Sequence, residues 1–259
     1  RSSLGGNSLG GVIGINFVPG ITSTNNTISN NYIGGSAAGA TGAWPLNNGA
    51  DANNTHWIGI RMTVGTTTAS TLSNNVVQKV QGIAPFNGLQ VLTSGSVNVD
   101  NNTVDNTGLD YGGTFTGIYV SGAQVASVNV TRNKVTNITL PVTVPSGGVH
   151  NFTGIYLSDG TTGTMSLGGS LPADGNLVNN ITNTYTNDNL ATQTTEGIYC
   201  GNTINSILIG NNTVSNMTAN AGSIIGLRAN NWASAAAGNV VNNTVFNLSS
   251  GASTPTLTA

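Results

Sequence analysis

Two short patterns alternate along the chain, and that alternation restricts the fold more than any other feature. The first is Gly, aliphatic, variable, apolar. It occurs as Gly14-Ile15-Asn16-Phe17, Gly59-Ile60-Arg61-Met62, Gly88-Leu89-Gln90-Val91, Gly117-Ile118-Tyr119-Val120, Gly154-Ile155-Tyr156-Leu157, Gly197-Ile198-Tyr199-Cys200 and Gly226-Leu227-Arg228-Ala229. The second is Asn-x-Val/Ile-x-Asn, starting at Asn26, Asn75, Asn102, Asn133, Asn176, Asn212 and Asn243, with Lys79 once replacing the closing Asn. The steps between successive glycines are 45, 29, 29, 37, 43 and 29 residues. A minimum near 29 with occasional excess describes a fixed structural unit that carries loop insertions.

Ahead of the Asn pattern lies a third element of period 2, clearest in Val97-Asn98-Val99, Val128-Asn129-Val130 and Ile207-Leu208-Ile209. Each unit therefore holds three short strands, predicted at three to five residues, and none shows a helical period. Three strands in about 29 residues make one coil of a solenoid, each strand stacking on its counterpart about 4.8 Å away in a parallel sheet. The expected fold is all-β, a right-handed parallel β-helix of about seven coils forming a single domain over 1–259. Inward columns are expected at Ile15, Ile60, Leu89, Ile118, Ile155, Ile198 and Leu227, and at Ile28, Val77, Val104, Val135, Val178, Val214 and Val245. Asn tolerates the left-handed backbone that a sharp bend requires, and stacked Asn side chains can hydrogen-bond from coil to coil.

Composition follows from this plan. The chain holds 39 Asn, 36 Thr and 36 Gly but only 6 Lys or Arg and 8 Asp or Glu, with a net charge of −2. Like residues stack in each column, so repeated charge would repel itself. Six scattered cations cannot make the basic footprint of a nucleic-acid binder. No apolar run approaches the roughly 18 residues of a membrane span. A lone cysteine, Cys200, excludes a disulfide framework and a cysteine-rich metal site. No cofactor is expected.

The run Gly117-Ile-Tyr-Val-Ser-Gly122, followed by Val128-Asn-Val130 and Asn133-Lys-Val-Thr-Asn137, resembles the right-handed parallel β-helix of the pectin-lyase-like class. Its texture is similar to that of the long repetitive secreted cell-surface β-helix proteins of Bacteroidota-type bacteria. The resemblance covers about Val12 to Leu248 and implies the fold; the class itself hosts lyases, hydrolases, adhesins and inert stalks.

Two features offer a binding surface. The variable position of the Gly pattern faces outward and reads Asn16, Arg61, Gln90, Tyr119, Tyr156, Tyr199 and Arg228, so three successive coils present tyrosine. This stripe reads either as aromatic packing that shields the sheet or as a glycan or subunit contact. The largest insertion, roughly 34–56, brings Trp44 and Trp57, either as a sugar platform or as a lid on the coil beneath. Five charges are expected on one corner of the second to fourth coils: Lys79, Asp100, Asp105, Arg132 and Lys134, with Asp100 and Arg132 in ion-pair range. The Asn-Thr-Asp, Asp-Asp, Gly-His-Gly and Arg-Ile-Lys motifs of the pectin-degrading families are absent, and no catalytic or metal-ligating set is legible. Cys200 falls on an inward position, as a buried thiol would.

The termini carry no capping pattern, so the chain reads as a fragment of a longer secreted protein or as a subunit that stacks end to end. The expected function is a non-enzymatic, extracellular structural or adhesive element of a bacterial surface, a stalk segment or filament subunit whose partners are further coils or surface glycans. The alternative is a carbohydrate-binding or polysaccharide-degrading β-helix of lyase or hydrolase type.

Overall fold

The computed structural model describes residues 12–19, 23–40, 42, 44–45, 56–64, 68–82, 85–93, 95–109, 113–121, 127–140, 151–158, 161–184, 193–201, 204–230, 237–251 and 257–258. Among them are strands, two 3-10 turns (Ala38–Ala40 and Pro172–Asp174) and no α-helix. All strand pairing is parallel and falls into three sheets. The first sheet runs Val12–Phe17, Trp57–Val64, Phe86–Thr93, Thr114–Ser121, Asn151–Ser158, Thr194–Cys200, Ser223–Ala229 and Leu257–Thr258. The second runs Thr27–Ser29, Ser70–Ser73, Val97–Asp100, Val128–Thr131, Thr161–Gly168, Ile204–Gly210 and Ala237–Val241. The third runs Tyr32–Gly34, Val76–Gln78, Thr103–Asp105, Lys134–Leu140, Leu177–Asn183, Thr213–Ala219 and Thr244–Ser250, with short side strands at Trp44–Pro45, Val80–Gly82 and Gly108–Leu109. Each sheet visits the coils in sequence order. The protein is a parallel β-solenoid of about seven coils with three strands per coil. Several strands reach seven or eight residues, longer than the three to five expected, because the pairing extends past the repeated motifs.

The two ends of the Asn pattern do different work. The opening Asn turns inward: Asn75, Asn102, Asn133, Asn176 and Asn212 are at most 1% exposed. The Asn102 backbone N–H and Nδ2 both donate to Asn133 Oδ1 at 3.0 Å, while a second Nδ2 hydrogen goes to the Leu72 carbonyl at 2.8 Å. The same three bonds repeat at Asn75, Asn133, Asn176 and Asn212, so buried amides that would each cost free energy if unpaired form a matched ladder. The closing position supplies a left-handed bend instead. Lys79, Asn106, Asn137, Asn180, Asn216 and Asn247 all have φ between 47° and 57°. A further left-handed residue precedes most of the buried rungs, as at Asn74, Asn101 and Arg132.

The first coil corrects the expected register. Its rung is Asn31, whose Nδ2 donates to Asn75 Oδ1 at 2.9 Å, and its third strand pairs Tyr32 with Val76 and Ile33 with Val77. Asn26 and Ile28 belong to the second sheet, where Ile28 pairs with Leu72.

In the first sheet the glycine of each motif lies inside a strand, where it packs closely against the aliphatic column of the third sheet. A Cβ on Gly117 would stand 2.5 Å from the Gly154 carbonyl oxygen and 2.8 Å from both Val135 methyls. No side chain fits there, which is why the column is glycine throughout. Two residues before it a buried aromatic stack rises through four coils, Trp57, Phe86, Phe115 and Phe152, with ring centroids 4.5, 4.5 and 5.5 Å apart. Trp57, expected in a surface loop, is 1% exposed and forms the base of this stack. It is a core residue and is unavailable to a ligand.

Candidate functional site

The outward column of the first sheet is in the expected register: Arg61 beside Gln90, then Tyr119, Tyr156, Tyr199 and Arg228. Tyr156 and Tyr199 lie 4.8 Å apart with ring planes 11° from parallel, and Tyr119 tilts by 45° against Tyr156 at 5.3 Å. The Arg228 guanidinium sits 4.1 Å above the Tyr199 ring. Arg61 Nε donates to Gln90 Oε1 at 2.8 Å. Both faces of Tyr156 and Tyr199 are therefore covered by neighbours in the column. A sugar ring stacks on an open aromatic face, so what these two tyrosines offer a ligand is their edges and hydroxyls.

Beside the tyrosines runs a second outward column, formed by the residue just before each motif glycine: Asn87, Thr116, Thr153 and Glu196. Together with Thr114, Asn151 and Thr194 these residues line a groove of about 380 Å³ whose other wall is the tyrosine stripe. Glu196 is 2% exposed and pairs with the Arg228 guanidinium. Burial pushes the Glu196 carboxyl above its usual range, and Arg228 only partly reverses the effect. Sequence reasoning passed over Glu196. Its signal was positional, because it follows Thr116 and Thr153 at the same offset from the glycine, a column that the Gly motif leaves out.

Four of the five corner charges divide into two pairs. Asp100 and Arg132 form the expected pair across adjacent coils, with Arg132 Nε donating to Asp100 Oδ1 at 2.8 Å. Burial alone would raise the Asp100 carboxyl, but bonds from Arg132 and Thr131 outweigh it and hold it below its usual range. Asp105 and Lys79 lie past the next bend on the third sheet, not on the same corner. Asp105 Oδ1 accepts from Thr136 Oγ1 at 2.6 Å and Asn137 Nδ2 at 2.7 Å. Lys134 is exposed on the strand between the two groups. Trp44 pairs with Val80 along the backbone, and its side chain lies outside the described residues. Cys200 is fully buried, and burial pushes its thiol up to about 12.

No family model matches the chain, and no significant match arises among curated proteins or solved structures. Function therefore rests on the geometry. The groove holds one carboxylate, already paired, where glycoside hydrolysis uses two on either side of the scissile bond. Among the described residues no group of three or more His, Cys, Asp or Glu could hold a metal ion.

Proposed function

We propose that this protein is a non-enzymatic structural element, a rod-like segment that extends by coil-on-coil stacking in an extracellular or cell-surface assembly. The observation that carries the reading is the seventh coil. Its second- and third-sheet strands, Ala237–Val241 and Thr244–Ser250, end their sheets, and Val240, Val241 and Phe246 are 41–51% exposed. Exposed apolar residues on an open parallel edge are the surface that another coil covers. The texture shared with repetitive secreted β-helix proteins favours the same role and the same location. The column of mutually covered tyrosines suits a load-bearing rib.

The test is size-exclusion chromatography with light scattering, joined to negative-stain electron microscopy, over rising concentrations of the chain and of a V240K/F246K variant. Linear particles that shorten in the variant support the reading. A chain that stays monomeric at about 1 mM, where even weak contacts of roughly 4 kcal/mol are half-populated, overturns stacking.

A second reading, a carbohydrate-binding surface, is favoured by the groove beside the tyrosines, where the buried Glu196 with its half-buried partner Arg228 and several hydroxyl and amide groups converge. Retardation in polysaccharide affinity gels that Tyr156→Ala or Glu196→Gln abolishes would favour it. Equal mobility of wild type and variants would dismiss it.

A further inference from the structure

A separate pocket of about 470 Å³ lies on the third-sheet side of the solenoid, remote from the tyrosine groove, with Lys79, Gln81, Asn106, Asn137 and Thr139 among its lining and Gly42 from the segment after the first coil at one wall. Lys79 is out of place by the rule of its column. Every other coil puts Gly or Asn at this left-handed bend, from Gly35 (φ 64°) to Asn247 (φ 54°), because other side chains clash with their own backbone there. Lys79 adopts φ 55° regardless. The other long cation in a left-handed position, Arg132, is explained by its ion pair with Asp100. Lys79 has no ion pair among the described residues, and the nearest acid along the ladder, Asp105, spends its Oδ1 on Thr136 and Asn137.

The substitution also interrupts a chain of amides. On the later coils Asn137, Asn180, Asn216 and Asn247 each donate Nδ2 to an acceptor on the preceding coil. Asn106, directly above Lys79, makes no such bond among the described residues. An ammonium and an amide thus stand on adjacent coils at one pocket, Asn106 exposed and Lys79 half-buried, both donors open to a ligand and neither bonded to another described side chain. Two donors free of protein partners, one of them charged, offer an anion charge-assisted bonds that water alone would otherwise take. The remaining lining of amide and hydroxyl groups suits a hydroxylated body, and the volume is that of a small-molecule site.

We propose that this pocket binds a small polyhydroxy carboxylate, its carboxylate held by Lys79 and Asn106 and its hydroxyl groups by the Asn137 and Thr139 side. The test titrates the intact chain with gluconate, with sorbitol as the uncharged body and acetate as the bare anion, following backbone amide shifts by NMR. Saturable shifts are expected at residues 79–81 and 106–109 with gluconate, and none with sorbitol. Loss of one charge-assisted bond in Lys79→Asn should weaken gluconate about tenfold or more, and Lys79→Arg should retain binding. Lys79→Asn installs the residue that the column uses elsewhere, so its melting temperature should equal or exceed that of the wild type. The proposal is overturned by the absence of saturable shifts, by equal affinity for acetate and gluconate, or by a Lys79→Asn variant that binds gluconate as the parent does.

Discussion

Replacing Asn133 by Ala removes the middle rung of the buried ladder. The Asn133 side chain donates to the Val99 carbonyl at 2.8 Å and to Asn176 Oδ1 at 3.0 Å, and accepts the Asn102 backbone N–H and Nδ2 at 3.0 Å each. Asn176 Oδ1 keeps one donor, the Asn133 backbone N–H at 2.9 Å. The Asn102 N–H and one Asn102 amide hydrogen are left without an acceptor, and the Val99 carbonyl loses a donor, all at a site closed to water. At about 1–3 kcal/mol for each of the three orphaned buried groups, the loss sums to about 3–9 kcal/mol. The control is Asn31→Ala at the first rung. Asn31 is only part-buried and donates to Asn75 Oδ1 and the Ser29 carbonyl, while Asn75 Oδ1 retains the Asn31 N–H. Its loss should cost about 1 kcal/mol. Urea titration followed by far-UV circular dichroism measures both. Hydrogen exchange at residues 97–140 should accompany it, because a solenoid can open coil by coil. If the two variants lie within about 1 kcal/mol of each other, the ladder is not what holds the coils in register.

Gly117→Ala should cost about 2–4 kcal/mol, since its Cβ must displace the backbone of the next coil and not merely a flexible side chain; chemical denaturation within error of wild type would refute the close-approach account. The two perturbed carboxylates should bend the stability–pH curve in opposite directions. Asp100, whose pKa is lowered, contributes stability above the usual carboxylate range that is lost as pH falls through its lowered value, and as a surface pair with Arg132 this is about 0.2–1 kcal/mol. Glu196, whose pKa is raised, binds its proton more tightly when folded, so its contribution is lost as pH rises through the raised value. Thermal melts between about pH 3 and pH 8 should lose the acid-side rise in Asp100→Asn and the fall at higher pH in Glu196→Gln; unchanged profiles would contradict both assignments. Cys200 should resist a thiol reagent at about pH 8 in the folded protein and react fully in denaturant.

The repeat made the fold legible because in a solenoid each structural need recurs at one offset. The glycine column and the tyrosine stripe stand where that offset puts them, and so do the inward aliphatic ribs except at Ile28. What escaped the sequence was chemistry that more than one residue type can satisfy. A left-handed bend takes Gly as readily as Asn, so the first coil's true third strand, Asn31-Tyr32-Ile33-Gly34-Gly35, does not fit a pattern that demands a closing Asn, whereas Asn26-Thr27-Ile28-Ser29-Asn30 does. Trp57 and Glu196 were missed for a different reason. Both precede the motif glycine, in columns where Phe86, Phe115 and Phe152, or Thr116 and Thr153, recur over only part of the solenoid, so the Gly pattern leaves them out. The Lys79–Asn106 break has no signature beyond one substitution, and its meaning depends on which side chains across the coils leave their donors unused.

The ladder of buried amides also gives the rod a direction. Each rung gives its backbone N–H and one Nδ2 hydrogen to the next coil and takes the same pair from the coil before, while its other Nδ2 hydrogen goes to a second-sheet carbonyl, so the rung-to-rung bonds point the same way from Asn31 to Asn243. Aligned bonds of this kind polarise one another. The two ends of the described ladder are consequently unlike, with the Asn31 Oδ1 acceptor at one and the Asn243 N–H donors at the other. Two rods meeting by like faces would set donors against donors or oxygens against oxygens. Under the coil-on-coil stacking proposed above, growth that preserves the buried network runs one way, and an added coil arrives in the parent's own orientation.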